Sequence, residues 1–126
     1  MRVASVDTGF VAAASGRVFE VLADPAAYPR WWPGARAGSG SQVELPGIGR
    51  LDMRPDAVEP GVELTLRLEG HRLGGRLQWY LERFKEGTVV YGIVDLETGR
   101  SFRIRRRLAI RAGVHRALMA LREMLE

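Results

Sequence analysis

The sequence contains no cysteine and one lysine, Lys85. Without cysteine there is no disulfide framework and no thiolate metal site, which excludes the small stapled scaffolds of secreted proteins. Only two histidines are present, His71 and His115, far apart in the chain and without acidic residues at ligand spacing. That pattern argues against a metal centre, and neither a metal nor a redox cofactor is expected. No apolar run approaches the roughly 20 residues that a bilayer-spanning helix needs, so no transmembrane segment is expected. The opening stretch Met1-Arg2-Val3-Ala4-Ser5-Val6-Asp7 meets charge too early to read as a signal peptide. A cytoplasmic address is the default expectation. Also missing are a phosphate-cradling glycine loop and a nucleophile elbow; Gly70, Gly74 and Gly75 read as hairpin glycines instead.

What is present is the composition of an ordinary globular chain. With 126 residues, 46% hydrophobic and 27% charged, it has enough apolar material for one core, and residues 1–126 read as one domain. The net charge of +4 is carried almost wholly by arginine. Arginine with abundant alanine, glycine and valine matches the codon bias of a GC-rich bacterial genome. Acidic residues are interleaved through most of the chain, which speaks against a nucleic-acid partner despite the basic excess.

The chain shows no internal repeat and no low-complexity tract. Val3 to Ala12 reads as a strand. Ser15 offers an N-cap to a short helix whose apolar face is Val18, Phe19 and Leu22. Asp24-Pro25 starts a second short helix, with the Asp side chain as cap and Pro at the first helical position. Pro29 and Pro33 keep that helix short. Gly34 to Ser41 is loop-like.

Beyond it the periodicity becomes two. Leu64, Leu66 and Leu68 alternate with Thr65, Arg67 and Glu69, as in a half-buried antiparallel strand. Gly74-Gly75 serves as a turn, Leu77, Trp79 and Leu81 form the next apolar face, and Lys85-Glu86-Gly87 turns again. Thr88 to Leu96 is a third strand. Gln42 to Leu45 and Gly49 to Arg54 are weaker strands separated by Pro46-Gly47.

The C-terminal end carries two patterns. Phe102, Ile104, Leu108 and Ile110 fall on even positions, as in a strand. Ile110, Val114, Ala117, Leu118, Leu121 and Leu125 fall three and four apart, as in a helix. The second pattern is longer and predicts one helix from about Ser101 to Glu126, with Gly113 its weakest position.

A strand, two short helices, an antiparallel meander of six or seven strands in all and a long closing helix describe an α+β helix-grip architecture. The residues carry a matching resemblance. Phe10-Val11-Ala12-Ala13 leading into Val18-Phe19-Glu20-Val21-Leu22, then Asp24-Pro25 and Trp31-Trp32-Pro33, resembles the opening of the polyketide cyclase/dehydrase and lipid-transport superfamily, the START-like proteins. Leu77-Gln78-Trp79-Tyr80-Leu81-Glu82 with Gly87-Thr88-Val89-Val90 is similar to its paired late strands. Leu118 to Glu126 resembles its terminal helix. The chain is shorter than is usual for the superfamily, and its basic stretch before the terminal helix is heavier.

The resemblance implies a small hydrophobic ligand, lipid- or polyketide-like, held between sheet and helix. Trp32, Leu66, Trp79 and Tyr91 are candidates for the wall, with Arg111, His115 and Leu118 on the helix; the alternative is that these side chains simply fill a core. Arg111 and His115 lie along one edge of the helix's apolar stripe, suited to holding an oxyanion. His115 also suits proton transfer in an aromatase/cyclase or dehydratase, with Arg111 and Tyr91 as further catalytic candidates. The cluster Arg100, Arg103, Arg105, Arg106, Arg107 and Arg111 admits a third reading, a dock for an acidic carrier protein or an anionic surface, against the plainer one of a solvated helix start.

Overall fold

In the computed structural model, residues 2–40, 42–99 and 104–126 are described, with the side chains of residues 104 and 105 left aside. Seven antiparallel strands form one sheet: β1 (Arg2–Val11), β2 (Arg36–Ala37), β3 (Gln42–Leu45), β4 (Gly49–Glu59), β5 (Glu63–Gly70), β6 (Leu73–Phe84) and β7 (Gly87–Thr98). Their spatial order is β1-β7-β6-β5-β4-β3-β2. Consecutive strands from β2 onward are neighbours, and the first strand closes the row beside the last. Helix α1 (Ser15–Leu22), a 3-10 turn at Pro25–Ala27 and helix α2 (Tyr28–Trp31) follow β1, and α3 (Ile104–Leu125) ends the chain. This is the helix-grip arrangement, with the full complement of seven strands.

Alternation fixes which face of the sheet is inside. Leu64, Leu66 and Leu68 of β5 and Leu77, Trp79 and Leu81 of β6 are all buried, as their period of two requires. On β7 the buried set is Val90, Val94 and Leu96, so the parity puts Tyr91 on the outer, convex face. The sheet wraps α3, whose buried residues Ile110, Val114, Ala117, Leu118, Leu121 and Leu125 form one helical stripe. Leu108, which belonged to the rival strand-like pattern, is 63% exposed. Residues 101–103, the expected first turn of the helix, lie outside the described residues.

Gly113, inside α3, faces Pro46. A Cβ on Gly113 would sit 3.4 Å from the Pro46 ring. Pro46 belongs to the turn between β3 and β4, which therefore lies directly against the helix. Gly47 in the same turn has φ +80°, and a Cβ there would come 2.9 Å from the Ile110 backbone nitrogen. Glycine costs a helix interior about 1 kcal/mol relative to alanine. The close approach requires glycine at position 47, while at position 113 an added methyl would make only an ordinary contact.

Several local expectations are corrected. The N-cap of α1 is Ala14, with Ser15 already helical, and no side chain caps it. Asp24 does precede Pro25, but its side chain makes no capping bond. The β5–β6 turn is His71-Arg72, while Gly74 and Gly75 pair within β6, Gly75 lying under the Asp95 carbonyl of β7. The loop expected over 34–41 contains the two-residue β2. Strand β4 runs on to Glu59, and a bulge between Pro55 and Ala57 bends it. Pro55 is tolerated there because β3 pairs β4 only up to Asp52, leaving that stretch a free edge. Phe19 is half-buried against the core rather than within it.

Leu118 is buried against the inner face of β1, where a Cβ on Gly9 would meet its side chain at 3.6 Å. Leu118→Ala is expected to lower stability by about 2–5 kcal/mol. An unchanged chemical-denaturation midpoint would contradict the seating of α3 described here.

Candidate functional site

Three residues of the helical corner and one of the sheet form the centre of the grip. Tyr28 and Trp31 come from α2, Trp32 follows it directly, and Trp79 rises from β6. Tyr28 packs on Trp31 and Trp32 with ring centroids 5.0 and 5.8 Å apart, and Trp32 meets Trp79 edge-on at 6.1 Å. The Tyr28 hydroxyl donates to the Leu22 carbonyl at 2.6 Å and accepts from the Trp79 Nε1–H at 3.0 Å. Burial pushes the Tyr28 phenol far up from its ordinary value, so it stays a neutral donor. The bond ties the end of α1, the corner and the sheet at one point.

These rings fill the space between sheet and helix. Of the residues expected to line a cavity, Trp32, Leu66, Trp79 and Leu118 are brought together, all buried and in one core. They act there as core. The indole N–H groups of Trp31 and Trp32 are buried and have no partner among the described residues, a state that costs about 1–3 kcal/mol per group.

The other expected site residues stand elsewhere. Tyr91 is on the convex face, its ring 5.7 Å from Tyr80 and its hydroxyl donating to Glu82 at 3.0 Å. That bond raises the phenol's pKa, and the parity of β7 turns Tyr91 away from the inner wall. Arg111 and His115 are exposed on the flank of α3 that runs beside β1. His115 Nδ1 lies 2.9 Å from Asp7 Oδ2, an orienting carboxylate that sequence gave no means of finding, since the two are distant in the chain. With 61% of its side chain exposed, His115 faces solvent rather than the grip. Arg111 borders a shallow groove of Val3, Ala4, Ser5, Arg107 and Leu108 along the same edge.

The arginine cluster is only partly described. Arg106, Arg107 and Arg111 are exposed on α3, and Arg107 donates to the Arg2 carbonyl at 3.2 Å. Arg100, Arg103 and the side chain of Arg105 lie outside the described residues.

Several concavities remain to be weighed. One, about 470 Å3, lies on the convex face among Arg2, Asp56, Arg67, Arg76, Asp95 and Glu97. Arg2 and Arg76 both pair with Asp95 there. Arg2 holds Asp95 at 2.9 Å, and this hydrogen bond keeps the Asp95 carboxyl below its usual range. A second, about 350 Å3, opens at the end of the grip where the β3–β4 turn, the β5–β6 turn, the end of β7 and the start of α3 converge. Ile48 and Leu73 supply its apolar surface, and Arg50, His71, Arg72 and Arg106 its polar groups. Of these only Arg106, of the arginine cluster on α3, was singled out from sequence for a binding role; the others occupy turns and strand ends, and only closure of the sheet around α3 brings them together. Among the described residues no cluster of acidic and histidine side chains suits a metal ion, and no helix is long and apolar enough to cross a membrane.

No family model matches this sequence, and none of the curated proteins matches it. Solved structures do match, over nearly the whole chain. A START superfamily protein from Mycobacterium smegmatis superposes with a TM-score of 0.75 at 16% identity, covering 98% of this chain and 97% of that one. The Zhui aromatase/cyclase from Streptomyces sp. R1128 gives 0.74 at 18% identity, covering 99% and 94%. The Aha1 dimer from Colwellia psychrerythraea gives 0.74 at 16%, covering 98% and 96%. At these identities the likeness is one of fold: the chain has the helix-grip fold shared by START-like proteins and polyketide aromatase/cyclases.

Tyr28→Phe removes the acceptor of the Trp79 N–H and the donor to Leu22 while keeping the ring. A loss of about 1–3 kcal/mol is expected, because both partners stay buried. Coupling with Trp79→Phe in a double-mutant cycle should be non-zero; strictly additive losses would contradict the shared bond.

Proposed function

We propose that this chain binds a small, largely apolar molecule at the open end of the grip, its apolar part against Ile48 and Leu73 and directed between the sheet and α3. One observation carries the reading. The fold's interior is packed with side chains, and the concavity that borders sheet end, turns and helix together is the one at this end. Its size is at the lower end of the range for small-molecule sites, which suits a compact ligand. The fold supports the same reading, since proteins of this architecture include START superfamily members. A cytoplasmic setting and a one-domain protein are consistent with it. On this reading Trp32, Leu66, Trp79 and Leu118 serve as core behind the site rather than as ligand contacts.

A second reading, catalysis of the aromatase/cyclase kind, keeps one observation in its favour. Asp7 orients His115, as a general acid–base pair requires. The pair faces solvent beside β1, at a distance in the fold from the concavity, so Arg111, Tyr91 and His115 do not converge with it on one substrate. Binding is therefore the reading preferred. Docking of an acidic carrier through the arginine cluster draws on no observation beyond the exposure of Arg106, Arg107 and Arg111.

Decanol and decanoate serve as probes. Calorimetric titration is expected to give saturable binding of both, and a raised thermal midpoint, because a ligand of the folded state stabilises it by mass action. Leu73 is only half-buried, so Leu73→Asp should fold and lose the binding of decanol. No binding of either probe to the wild type, or undiminished decanol binding to Leu73→Asp, would overturn the reading.

A further inference from the structure

The polar side of this concavity has one sign. Arg50, His71, Arg72 and Arg106 line it, together with the Thr98 hydroxyl and the backbone of Gly49 and Gly99, and no carboxylate is among the lining residues. In a chain with 15 acidic residues against 19 lysines and arginines, four basic groups gathered without an acid is a departure from the general interleaving. Glu44 stands opposite Arg50 in the β3–β4 pair but makes no ion pair with it, and Asp52 and Glu69 lie in the adjoining concavity that shares Arg50 and His71.

The arginines of the convex groove offer a contrast. Arg2, Arg67 and Arg76 are each paired with a carboxylate. Arg50 and Arg72 have no ion-pair partner among the described residues. Their charge is therefore available to a ligand.

Arg72 also holds an unusual backbone. At φ +57° it sits in the left-handed region, at a turn position where glycine or asparagine is the ordinary occupant. A non-glycine residue there is strained. Lys85 makes the same exchange in the β6–β7 turn, so strain alone assigns nothing. What distinguishes Arg72 is its anchoring and its outlook: its carbonyl accepts from the Gly99 N–H at 3.1 Å, fixing the turn to the end of β7, and its side chain lines the concavity.

We propose that the ligand is an amphipathic anion, whose oxyanion head is held by Arg50, Arg72 and His71 at the rim with Arg106 on the helix side, while its tail meets Ile48 and Leu73. The inference rests on the binding reading above and adds the substrate class. A carboxylate and a phosphate present the same chemistry to guanidinium groups, which take either in a forked, charge-assisted geometry. Arginine serves that purpose better than lysine, and the rim has no lysine.

The test compares four probes by calorimetry: decanoate, decyl phosphate, decanol and acetate. Decanoate or decyl phosphate is expected to bind about tenfold or more tighter than decanol, since one charge-assisted bond is enough for that ratio. Their affinity should fall as salt rises from low to high, and that of decanol should not. The pair Arg50→Gln and Arg72→Gln, both exposed and outside the core, should remove the preference of decanoate or decyl phosphate over decanol while leaving the thermal midpoint of the free protein unchanged. Whichever head group gives the larger preference identifies the source, carboxylate or phosphate. Decanol binding as tightly as decanoate, or a preference that survives the double substitution, would overturn the anionic head while leaving the apolar site intact. Acetate binding as tightly as decanoate would remove the tail, and with it the binding reading, while leaving the basic rim. Failure of all four probes overturns both.

Discussion

Everything in this molecule depends on how closely one helix can be brought to the inside of a curled sheet. Helix α3 is held at contact distance by small residues on both sides. On β7, a Cβ at Gly92 would meet the Trp79 ring at 2.9 Å and Val114 of the helix at 3.1 Å. On the other side, Gly47 of the β3–β4 turn lets the turn approach the helix, where a Cβ would come 2.9 Å from the Ile110 nitrogen. The far end is secured by Glu126, which accepts from the Ala12 N–H just beyond β1 at 3.2 Å. Interiors packed to this density transmit any added methylene as strain, so these positions set the separation of sheet and helix. That separation leaves room for the rings of Tyr28, Trp31, Trp32 and Trp79 and closes the middle of the grip. Among the described residues, a concavity lies at the end, bordered by the β3–β4 and β5–β6 turns, the end of β7 and Arg106 of α3.

Much of the fold was legible because its signals are local. Leu64, Leu66 and Leu68 read as an inward face and are one; Leu77, Trp79 and Leu81 likewise. The stripe from Ile110 to Leu125 overrode the competing even-position pattern, since six residues at helical spacing outweigh an alternation that leaves Leu108 in water. Misreadings occurred where two choices differ by a single residue. An aromatic residue such as Tyr91 suits a wall, yet Val90 and Val94 set the parity of β7, and a shift of one residue turns a side chain to the other face. Gly74-Gly75 looks like the β5–β6 turn because glycine is permissive, while the chain turns at His71-Arg72, where a left-handed Arg72 is accepted instead.

The candidate site was less legible, for a physical reason. Asp7 and His115, or Arg50, Arg72 and Arg106, meet only through register and closure, and no spacing along the chain encodes that. The aromatic corner was partly visible, in Trp31-Trp32-Pro33, but its hydrogen-bonding centre, Tyr28, gave no sign of its role. A buried phenol that joins a helix end to a sheet looks, in sequence, like any other tyrosine between prolines.

The central claim is the location of the ligand, and the backbone amides read it directly. In a two-dimensional nitrogen–proton NMR titration with decanoate, shifts should concentrate at Gly49, Leu73, Gly99 and the amides of the His71-Arg72 turn. The convex groove, reported by Gly74, Gly75 and Arg76, should respond little beyond its immediate neighbours. Shifts centred on that groove, or on the Asp7–His115 edge, with Gly49 and Gly99 unmoved, would contradict the account.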